Sequence, residues 1–445
     1  MAVPELPETG ADRRNARLYM IGLATSLVGN NAMTLVAGIW VKSLTGSSAE
    51  AGLVSACLYA PALLGPVGGM IADRVSRQRL LFRLNVASAL IMLPLLAVRS
   101  TAEIWIIFGV MTWYGFHLTF SGAAEDALFA EMLPLPLRQR VNGWRLGLQE
   151  TGRLVAPLFG AGLFTLIGGG SVAVFDSATF VVAAVVISRL RLRDSGSHHQ
   201  RDQRHQPVRW RADLVAGLAH IRRTPEFRQV LTAAAAVMAL SGVLVSAQYS
   251  LVQSVGEPPA FLGVLSACLG AGSIVASLVS SRLLRHLGEQ WLAVLGMVNF
   301  AAGTALRATG WLAAAVAGTV VLGFALPWVF LAVLNLAQRL TPLSLQGRVS
   351  AAVTLGIFGP QAPTQALGSL AIRYVTYRQL YIAGAAIALV AAAWLPWAIR
   401  RGRSGQVPEL GRAQPEDQGG EREKADRDHR AGEIQAGGEA AAPGD

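Results

Sequence analysis

The feature that most constrains this chain is a series of apolar runs, each about 20 residues long, which is the length of a helix that crosses the hydrocarbon core of a bilayer. Of the 445 residues, 53% are hydrophobic and 15% are charged, whereas about 25% are charged in ordinary soluble proteins. The polar segments between the runs are short and rich in arginine. The sequence therefore predicts an all-α membrane protein.

Twelve of these runs are predicted to be transmembrane helices, six in each half of the chain. The first six lie near residues 18–41, 50–72, 80–98, 103–125, 145–167 and 171–190. The second six lie near residues 229–252, 260–284, 290–308, 311–335, 349–372 and 379–399. This pattern predicts two six-helix bundles.

The loops differ in charge between the two predicted sides of the membrane. One side carries most of the arginines: Arg13, Arg14, Arg17, Arg74, Arg77, Arg79, Arg83, Arg138, Arg140, Arg282, Arg285, Arg339, Arg348, Arg400, Arg401 and Arg403. The other side holds Lys42, Arg99, Arg307, Arg373 and Arg378. Because basic loops stay in the cytoplasm, we expect a protein of the cytoplasmic membrane with both termini inside the cell. Because the chain starts with a polar segment, we do not expect a cleaved signal peptide.

The same pattern divides the chain into five segments. They are a cytoplasmic N-terminus (1–17), a first bundle (18–190), a cytoplasmic connector (191–228), a second bundle (229–399) and a cytoplasmic tail (400–445). The tail has almost no large apolar residues, so we expect it to be disordered. In the connector, Trp210, Leu214, Leu218 and Ile221 share one helical face, which predicts a helix resting in the inner membrane interface. A soluble helix packed on the loops is the alternative.

The two halves repeat each other. Gly115-Phe116-His117-Leu118 matches Gly323-Phe324-Ala325-Leu326 at an offset of 323 − 115 = 208 residues. Gly52-Leu53-Val54-Ser55-Ala56-Cys57-Leu58 matches Gly263-Val264-Leu265-Ser266-Ala267-Cys268-Leu269 at an offset of 263 − 52 = 211 residues. Parallel repeats of this kind are typical of transporters built from two related bundles.

One loop motif adds a family resemblance. The segment Gly68 to Arg79, between the second and third predicted helices, holds Gly69, Asp73, Arg74 and Arg77. It resembles the loop signature of the major facilitator superfamily, although Ser76 and Gln78 depart from that pattern. The resemblance implies the major facilitator fold. It also implies that Asp73 stabilises an outward-open state by facing the eleventh helix, with Arg74 and Arg77 completing a charge network that switches conformation.

A second motif resembles the antiporter signature of the same superfamily. It consists of Gly152, Arg153, Ala156, Pro157 and Gly160 in the fifth predicted helix, with Ala156 and Ala161 in place of glycines. The segments Leu44–Ala49, Arg140–Gly143 and Asp213–Pro225 resemble a bacterial branch of macrolide-efflux and siderophore-export permeases. That resemblance implies export.

Polar side chains inside the membrane are costly, so they are candidates for function. The candidates for a substrate cavity are Asn30, Asn31, His117, Gln248 and Tyr249. The alternative for the two asparagines is hydrogen bonding between helices, and the alternative for His117 is a histidine packed in the bundle. Trp113, Tyr114, Phe116, Trp328 and Phe330 predict an aromatic, mostly apolar cavity, unless they pack between helices or face lipid.

Four charged residues are candidates for proton coupling. Glu150 and Arg153 are three residues apart and share a helical face, so a proton can change their pairing, or the pair simply anchors the helix. Glu125 and Asp126 lie at the predicted inner end of the fourth helix, as coupling or gate charges. Asp176 is expected near the outer start of the sixth helix, where an acid is favourable.

Several function classes are disfavoured by the sequence. The net charge of +11 comes from arginines between apolar runs, so it does not indicate a nucleic-acid surface. Cys57 and Cys268 lie in apolar runs and predict neither a metal site nor a disulfide. The sequence has no G-x-x-x-x-G-K-[ST] loop, so direct use of ATP is not expected, and no residue cluster favours an enzyme or a cofactor. We therefore expect a monomeric, proton-driven exporter of an amphipathic or lipophilic small molecule; an uptake permease or a non-transporting sensor or scaffold remains as an alternative.

The loop motif generates one prediction. We expect Asp73→Asn to slow transport while the amount of folded protein in the membrane stays at the wild-type level, because the role implied for Asp73 concerns a conformational equilibrium. The measurement is initial transport rate per amount of protein extracted in monodisperse form. A well-expressed variant with the wild-type rate would remove Asp73 from the mechanism.

Overall fold

The computed structural model describes residues 10–64, 75–190, 210–342 and 345–404. In these ranges the secondary structure is helical throughout, with no strand. The helices of the first half are α1 (Gly10–Thr45), α2 (Ser48–Tyr59), α3 (Arg77–Met92), α4 (Ile104–Met132), α5 (Leu135–Ile167) and α6 (Gly169–Arg189). Turns of 3₁₀ helix at Ala60–Leu64 and Leu93–Ala97 extend α2 and α3.

The second half begins with a connector helix. The helices are α7 (Trp210–Arg223), α8 (Pro225–Val243), α9 (Val245–Ser254), α10 (Leu262–Ala308), α11 (Leu312–Leu340), α12 (Gln346–Phe358), α13 (Gln361–Ala371) and α14 (Tyr377–Ser404). Helix α14 continues beyond residue 399, where the sequence analysis ends the second bundle. Residues 191–209 of the connector and the tail from 405 onward lie outside the described residues.

Each predicted span falls on described helix, except that residues 65–72 of the second span lie outside the described ranges. Three predicted spans or pairs of spans differ from single helices. The eleventh span is divided into α12 and α13 at Gly359 and Pro360. The seventh span is two helices, α8 and α9, which meet at a bend of 46°. The eighth and ninth spans form the single element α10, in which the backbone departs from helical geometry at Gly288, with φ +74°.

The chain reverses direction at Gly288, since Gly272 before it and Gly303 after it face neighbouring residues of α11, Val320 and Gly318. A positive φ favours glycine at this turn. By length and composition, seven of the described helices are suited to crossing a membrane, or eight if the bent pair α8–α9 counts as one span.

The internal repeat reappears as a repeated backbone contact. In the first half, a Cβ added to Gly115 of α4 would collide with the carbonyl oxygen of Leu58 in α2. In the second half, a Cβ added to Gly323 of α11 would collide with the carbonyl oxygen of Leu269 in α10. Both glycines and both leucines belong to the matching sequence stretches. Small residues that let helix backbones touch are the usual basis of helix packing in membranes.

The connector helix α7 is attached to the second half. The main chain of Arg348 fills the space beside Gly217, and Nε2 of His220 lies 3.0 Å from the carbonyl oxygen of Leu340. Ile221 is buried there, whereas Val215 is exposed. These contacts agree with the alternative of a helix packed on the rest of the protein.

The repeated contact predicts the effect of a single added methyl group. We expect Gly115→Ala to lower stability by about 1–3 kcal/mol, because a Cβ would push α4 away from the Leu58 carbonyl group. The matched control is Gly109→Ala in the same helix, where nothing lies within 4 Å of the added Cβ. The measurement is the melting temperature in detergent. Equal melting temperatures for the two variants would contradict the importance of this contact.

Candidate functional site

The two halves meet at one end of the helices. We call the side on which α1 begins the proximal side and the side on which α1 ends the distal side. Near the distal side, the Tyr249 hydroxyl occupies the place of a Cβ on Gly38, and Ser246 occupies that of a Cβ on Gly52. Across the other half of the interface, Gly263 lies against Pro157 of α5. Gly52 and Gly263 are equivalent positions of the repeat, so the interface follows the symmetry of the two halves.

A buried lysine adds polar contacts at this closed end. Lys42, 6% exposed, donates hydrogen bonds through Nζ to Oε1 of Gln253 at 2.7 Å, to Oγ of Ser48 at 2.9 Å and to the carbonyl oxygen of Gly46 at 2.6 Å. The Ser250 hydroxyl also donates to Ser48 Oγ at 2.8 Å. We call Lys42, Ser48, Ser250 and Gln253 the distal latch. Its bonds Lys42–Gln253 and Ser250–Ser48 join the first half to the second.

The proximal part of α5 is uncovered. Trp144 is 71% exposed, and no atom lies within 4 Å of a Cβ added to Gly143 or Gly147. Farther along the same helix, Leu154 touches Gly270 of α10, and contact with the second half continues from there toward Pro157. The halves are therefore joined distally and apart along the proximal part of α5.

The first half encloses a cavity of about 270 Å³ that lies toward the proximal side. We call it the first cavity. Its polar lining comes from Tyr19, Ser26, Asn30, Asn85, His117, Ser121, Glu125, Arg145 and Gln149. Its apolar lining includes Leu23, Leu27, Leu81, Leu118 and Leu128. The mixture differs from the predicted cavity, which was aromatic and mostly apolar.

Two charged side chains face each other across the first cavity. Glu125 comes from α4 and Arg145 from α5. Arg145 also forms an ion pair with Asp126, with Nη2 and Oδ1 2.6 Å apart, and its guanidinium carbon lies 5.7 Å from the centre of the Phe129 ring. Asp126 is mainly exposed, so Arg145 connects a carboxylate in the cavity with one at the surface.

The inner end of the first cavity is hydrogen-bonded. Tyr114 donates through its hydroxyl to Asn30 Oδ1 at 2.5 Å. The Nδ1 atom of His117 lies 3.0 Å from Ser88 Oγ, which in turn accepts a hydrogen bond from Trp113 Nε1 at 3.1 Å. Asn30 and His117 therefore line the first cavity and also have hydrogen-bond partners in the helix bundle.

Asp176 lies elsewhere than expected. Helix α6 begins at Gly169, so Asp176 is two turns inside it and fully buried instead of at the outer start of the helix. Thr179 Oγ1 lies 3.2 Å from one carboxylate oxygen, Gly29 of α1 packs against the same oxygen, and the other oxygen has no hydrogen-bond partner. The start of α6 is hard to predict, because Gly168, Gly169 and Gly170 all permit a turn there.

The remaining predicted residues are dispersed. Asn31 donates to the carbonyl oxygen of Leu27 in its own helix at 2.8 Å, Gln248 lines a separate small cavity in the second half, and Tyr249 is buried between the halves. Glu150 and Arg153 form an ion pair with Nη1 and Oε1 3.1 Å apart, and both side chains are exposed.

Only part of the two family motifs lies within the described residues. Arg77 begins α3, whereas Gly69, Asp73 and Arg74 lie outside the described residues. In the antiporter-like motif, Gly152 packs against Leu27, and Ala156 is buried. Gly160 packs against Ala32, and Pro157 lies within α5 where that helix contacts Gly263. This motif therefore contributes to the interface between the halves.

None of the five predicted aromatic side chains is among the residues that line the first cavity, which agrees with the alternative that they pack between helices or face lipid. Tyr114 is fully buried with its ring centre 5.7 Å from that of Phe180, and Trp328 donates to the carbonyl oxygen of Ala276 at 3.1 Å. The sequence analysis overlooked Tyr19, Asn85 and Gln149 as lining residues. Tyr19, Ser26 and Asn30 lie seven and four residues apart, a helical spacing that would have placed them on one face.

Comparison with known proteins identifies the family. Residues 18–248, just over half of the chain, match the sequence model of the Major Facilitator Superfamily. The chain belongs to this superfamily. A superfamily member from Bacillus subtilis (strain 168), an uncharacterized MFS-type transporter named YfiS, is 23% identical over 221 residues. These residues cover 49% of this chain and 52% of YfiS, so the match spans about half the length of that relative.

Solved structures of superfamily transporters share the fold. The nucleoside transporter NupG gives a TM-score of 0.67 at 12% identity and covers 88% of this chain and 100% of its own. A bacterial homologue of the iron transporter ferroportin gives a TM-score of 0.63 at 15% identity, and the match covers 87% of this chain and 99% of the homologue. The POT family transporter PepTSo gives a TM-score of 0.66 at 11% identity, and the match covers 89% of this chain and 99% of PepTSo. The predicted membrane fold and the predicted superfamily are confirmed, while the macrolide-efflux and siderophore-export branch stays a prediction.

The distal latch generates a prediction about conformation. We expect Lys42→Met to shift the population by roughly tenfold or more away from the distally closed state, because it removes charged hydrogen bonds that join the halves. The measurement is the distance between spin labels on Gly143→Cys and Gly347→Cys, with Cys57 and Cys268 replaced by serine. Both labelled positions are open on the proximal side, so their distance should shorten.

The control for this experiment is Ser254→Ala, which removes a hydroxyl near the same end of α9 that bonds only within its own helix, to the carbonyl oxygen of Leu251. Its distance distribution should equal that of the parent protein. An unchanged distribution in Lys42→Met would show that the distal latch does not hold the halves together.

Proposed function

We propose that this protein is a proton-driven secondary transporter of the cytoplasmic membrane that exports an amphipathic small molecule by alternating access. The observation that carries the proposal is the first cavity, where Glu125 and Arg145 face each other in a membrane bundle that is closed distally. In the proposal the proximal side is the cytoplasm, as the arginine distribution predicts. The open proximal side would then receive substrate from the cell interior.

The lining of the first cavity favours an amphipathic substrate. Leucines from three helices supply apolar contacts, and the amide and hydroxyl groups of Asn85, Gln149 and Ser121 supply hydrogen bonds at separate points. Pockets of this mixed type use apolar surface for affinity and a few polar groups for orientation. Transporters of nucleosides, peptides and iron share this fold, so the substrate class follows from the cavity and not from the fold.

Glu125 is proposed to carry the coupled proton. In the charged form its carboxylate attracts Arg145, which also holds Asp126. A proton on Glu125 removes that attraction and leaves Arg145 paired with Asp126 at the surface. Since α4 provides both acids and α5 provides Arg145, the change in pairing acts between two helices. A substrate that contacts Glu125 or Arg145 would compete with this pairing, which is the basis of exchange.

Glu150 and Arg153 are the alternative coupling pair. Their ion pair is exposed on α5, one turn before the segment that contacts α10. An exposed pair is screened by water and contributes little, so it responds weakly to a single proton. We therefore assign the coupling to the first cavity and propose that Glu150 and Arg153 serve the opening and closing of the interface.

The proposal is tested by Glu125→Gln. We expect purified variant protein in liposomes to lose substrate accumulation driven by a pH gradient, falling to the level of liposomes without protein. Substrate exchange without a gradient should persist, because glutamine keeps the shape of the side chain but cannot release a proton. The measurement is uptake into inverted and right-side-out vesicles, with substrates first found by retention of dyes, antibiotics and siderophores in cells.

Glu103→Gln is the matched control. Glu103 lies just before α4 in the loop on the distal side and bonds only to Ser100 and the neighbouring backbone, so gradient-driven transport should stay at the wild-type level. If the Glu125→Gln variant still accumulates substrate when a pH gradient is applied, the proton site lies elsewhere. Glu150→Gln is then the next variant to measure. Gradient-driven accumulation in the opposite direction would indicate uptake. Absence of transport across the panel would favour a sensor or scaffold.

A further inference from the structure

Arg307 is a buried cation in the second half. The sequence analysis placed it on the outer side of the membrane, yet the structure encloses it near the distal end of α10, with 8% of its surface exposed. Its guanidinium carbon lies 5.0 Å from the centre of the Tyr381 ring, and its Nε atom has no hydrogen-bond partner. The ring is a favourable neighbour for a cation but carries no opposite charge.

No carboxylate in the described part of the chain lies within ion-pair distance of Arg307. In the second half, Glu226 and Glu289 both bind Arg339 on the proximal side. The remaining acid with a described side chain, Glu257, follows α9 in the distal loop and forms no ion pair with Arg307. A guanidinium keeps its charge in proteins, and a charge inside a membrane protein is normally paired. The described residues therefore offer Arg307 no anionic partner.

Arg307 lines a cavity of about 100 Å³, which we call the second cavity. Ser241, Gln248 and Thr304 line it together with apolar residues such as Leu269. Thr304 is fully buried, and its hydroxyl has no hydrogen-bond partner. Two unpartnered polar groups, the Arg307 Nε and the Thr304 hydroxyl, thus belong to the same enclosed space. Buried polar groups are normally hydrogen-bonded, so this is a site with unused donors.

The bend between two helices lies at the wall of the second cavity. Helix α8 ends at Val243 and the ten-residue helix α9 begins at Val245, with a bend of 46° between them. Leu244 and Val245 line the second cavity. The C-terminus of α8 and the N-terminus of α9 meet at this bend, and their opposite partial charges largely cancel, so the positive charge of the second cavity comes from Arg307.

We propose that the second cavity binds a small monovalent anion through Arg307, with Thr304 and Gln248 as further contacts. The cavity is smaller than the roughly 300–1,000 Å³ of a pocket for a drug-sized ligand, so it accepts an ion or a single carboxylate group. The anion is either an inorganic halide or a carboxylate as small as acetate. This site is separate from the first cavity and does not depend on proton coupling at Glu125.

The test measures anion binding by the purified full-length protein, without transport. The protein is kept in gluconate, whose chain is too large for the second cavity, and chloride, bromide or acetate replaces gluconate at constant ionic strength. We expect the melting temperature to rise and saturate with anion concentration, as it does when a ligand binds only the folded state. Saturation by halides indicates an inorganic ion, and saturation by acetate alone indicates the carboxylate of an organic ligand.

Three variants assign the effect to the second cavity. Arg307→Gln should bind the anion at least about tenfold more weakly, because it loses a charged donor. Thr304→Val keeps the shape of the side chain and removes a hydroxyl without a partner, so it should fold like the parent protein and bind more weakly. Arg378→Gln is the control, because Arg378 also lies over a tyrosine ring, 5.9 Å from the centre of Tyr377, but is exposed.

The proposal is overturned by either of two results. One is a parent protein whose melting temperature does not respond to any of the three anions in a saturable way. The other is an undiminished response in both Arg307→Gln and Thr304→Val. If Arg307→Gln does not fold, Thr304→Val alone decides. Since no transport enters the measurement, failure here leaves the proposed role of Glu125 untouched.

Discussion

Contact between helix backbones at glycine is the interaction on which the rest of this structure depends. In a bilayer, apolar side chains gain nothing by leaving lipid for another helix, so association relies on close packing and hydrogen bonds. Gly115 against Leu58 and Gly323 against Leu269 provide this packing at the same place in each half. Between the halves, Gly263 lies against the backbone of Pro157, and Gly52 lies against the small side chains of Ser246 and Ser369. One short pattern, used twice, thus defines the bundle and the surface on which the bundles meet.

The polar contacts of the distal latch suit an interface that has to open. Lys42 is held by an amide, a hydroxyl and a backbone carbonyl group, which are all neutral. Separation therefore exposes one cation to water and leaves no buried carboxylate behind. A buried ion pair would be harder to break, because each charge would lose its partner inside the protein. Because the partners of Lys42 are neutral, the distal latch can stabilise the closed state and still be broken when the halves separate.

Much of the fold could be predicted from the sequence, because apolar length and charged loops are local properties. The repeat Gly115–Leu118 and Gly323–Leu326 also predicted the relation of the halves. The candidate site was harder to predict. The bend before Val245 has no proline or glycine at the break itself, and Asp176 was misplaced because three glycines in succession blur the start of α6. Whether Trp328 faces a cavity or a neighbouring helix depends on tertiary packing, which hydrophobic periodicity does not encode.

The attachment of α7 to the second half has a mechanical consequence. The helix is fixed by Gly217 and His220, so it moves together with α11 and α12 when the halves rearrange. The boundary between the two halves therefore lies between Leu190 and Trp210, and not at the start of α8.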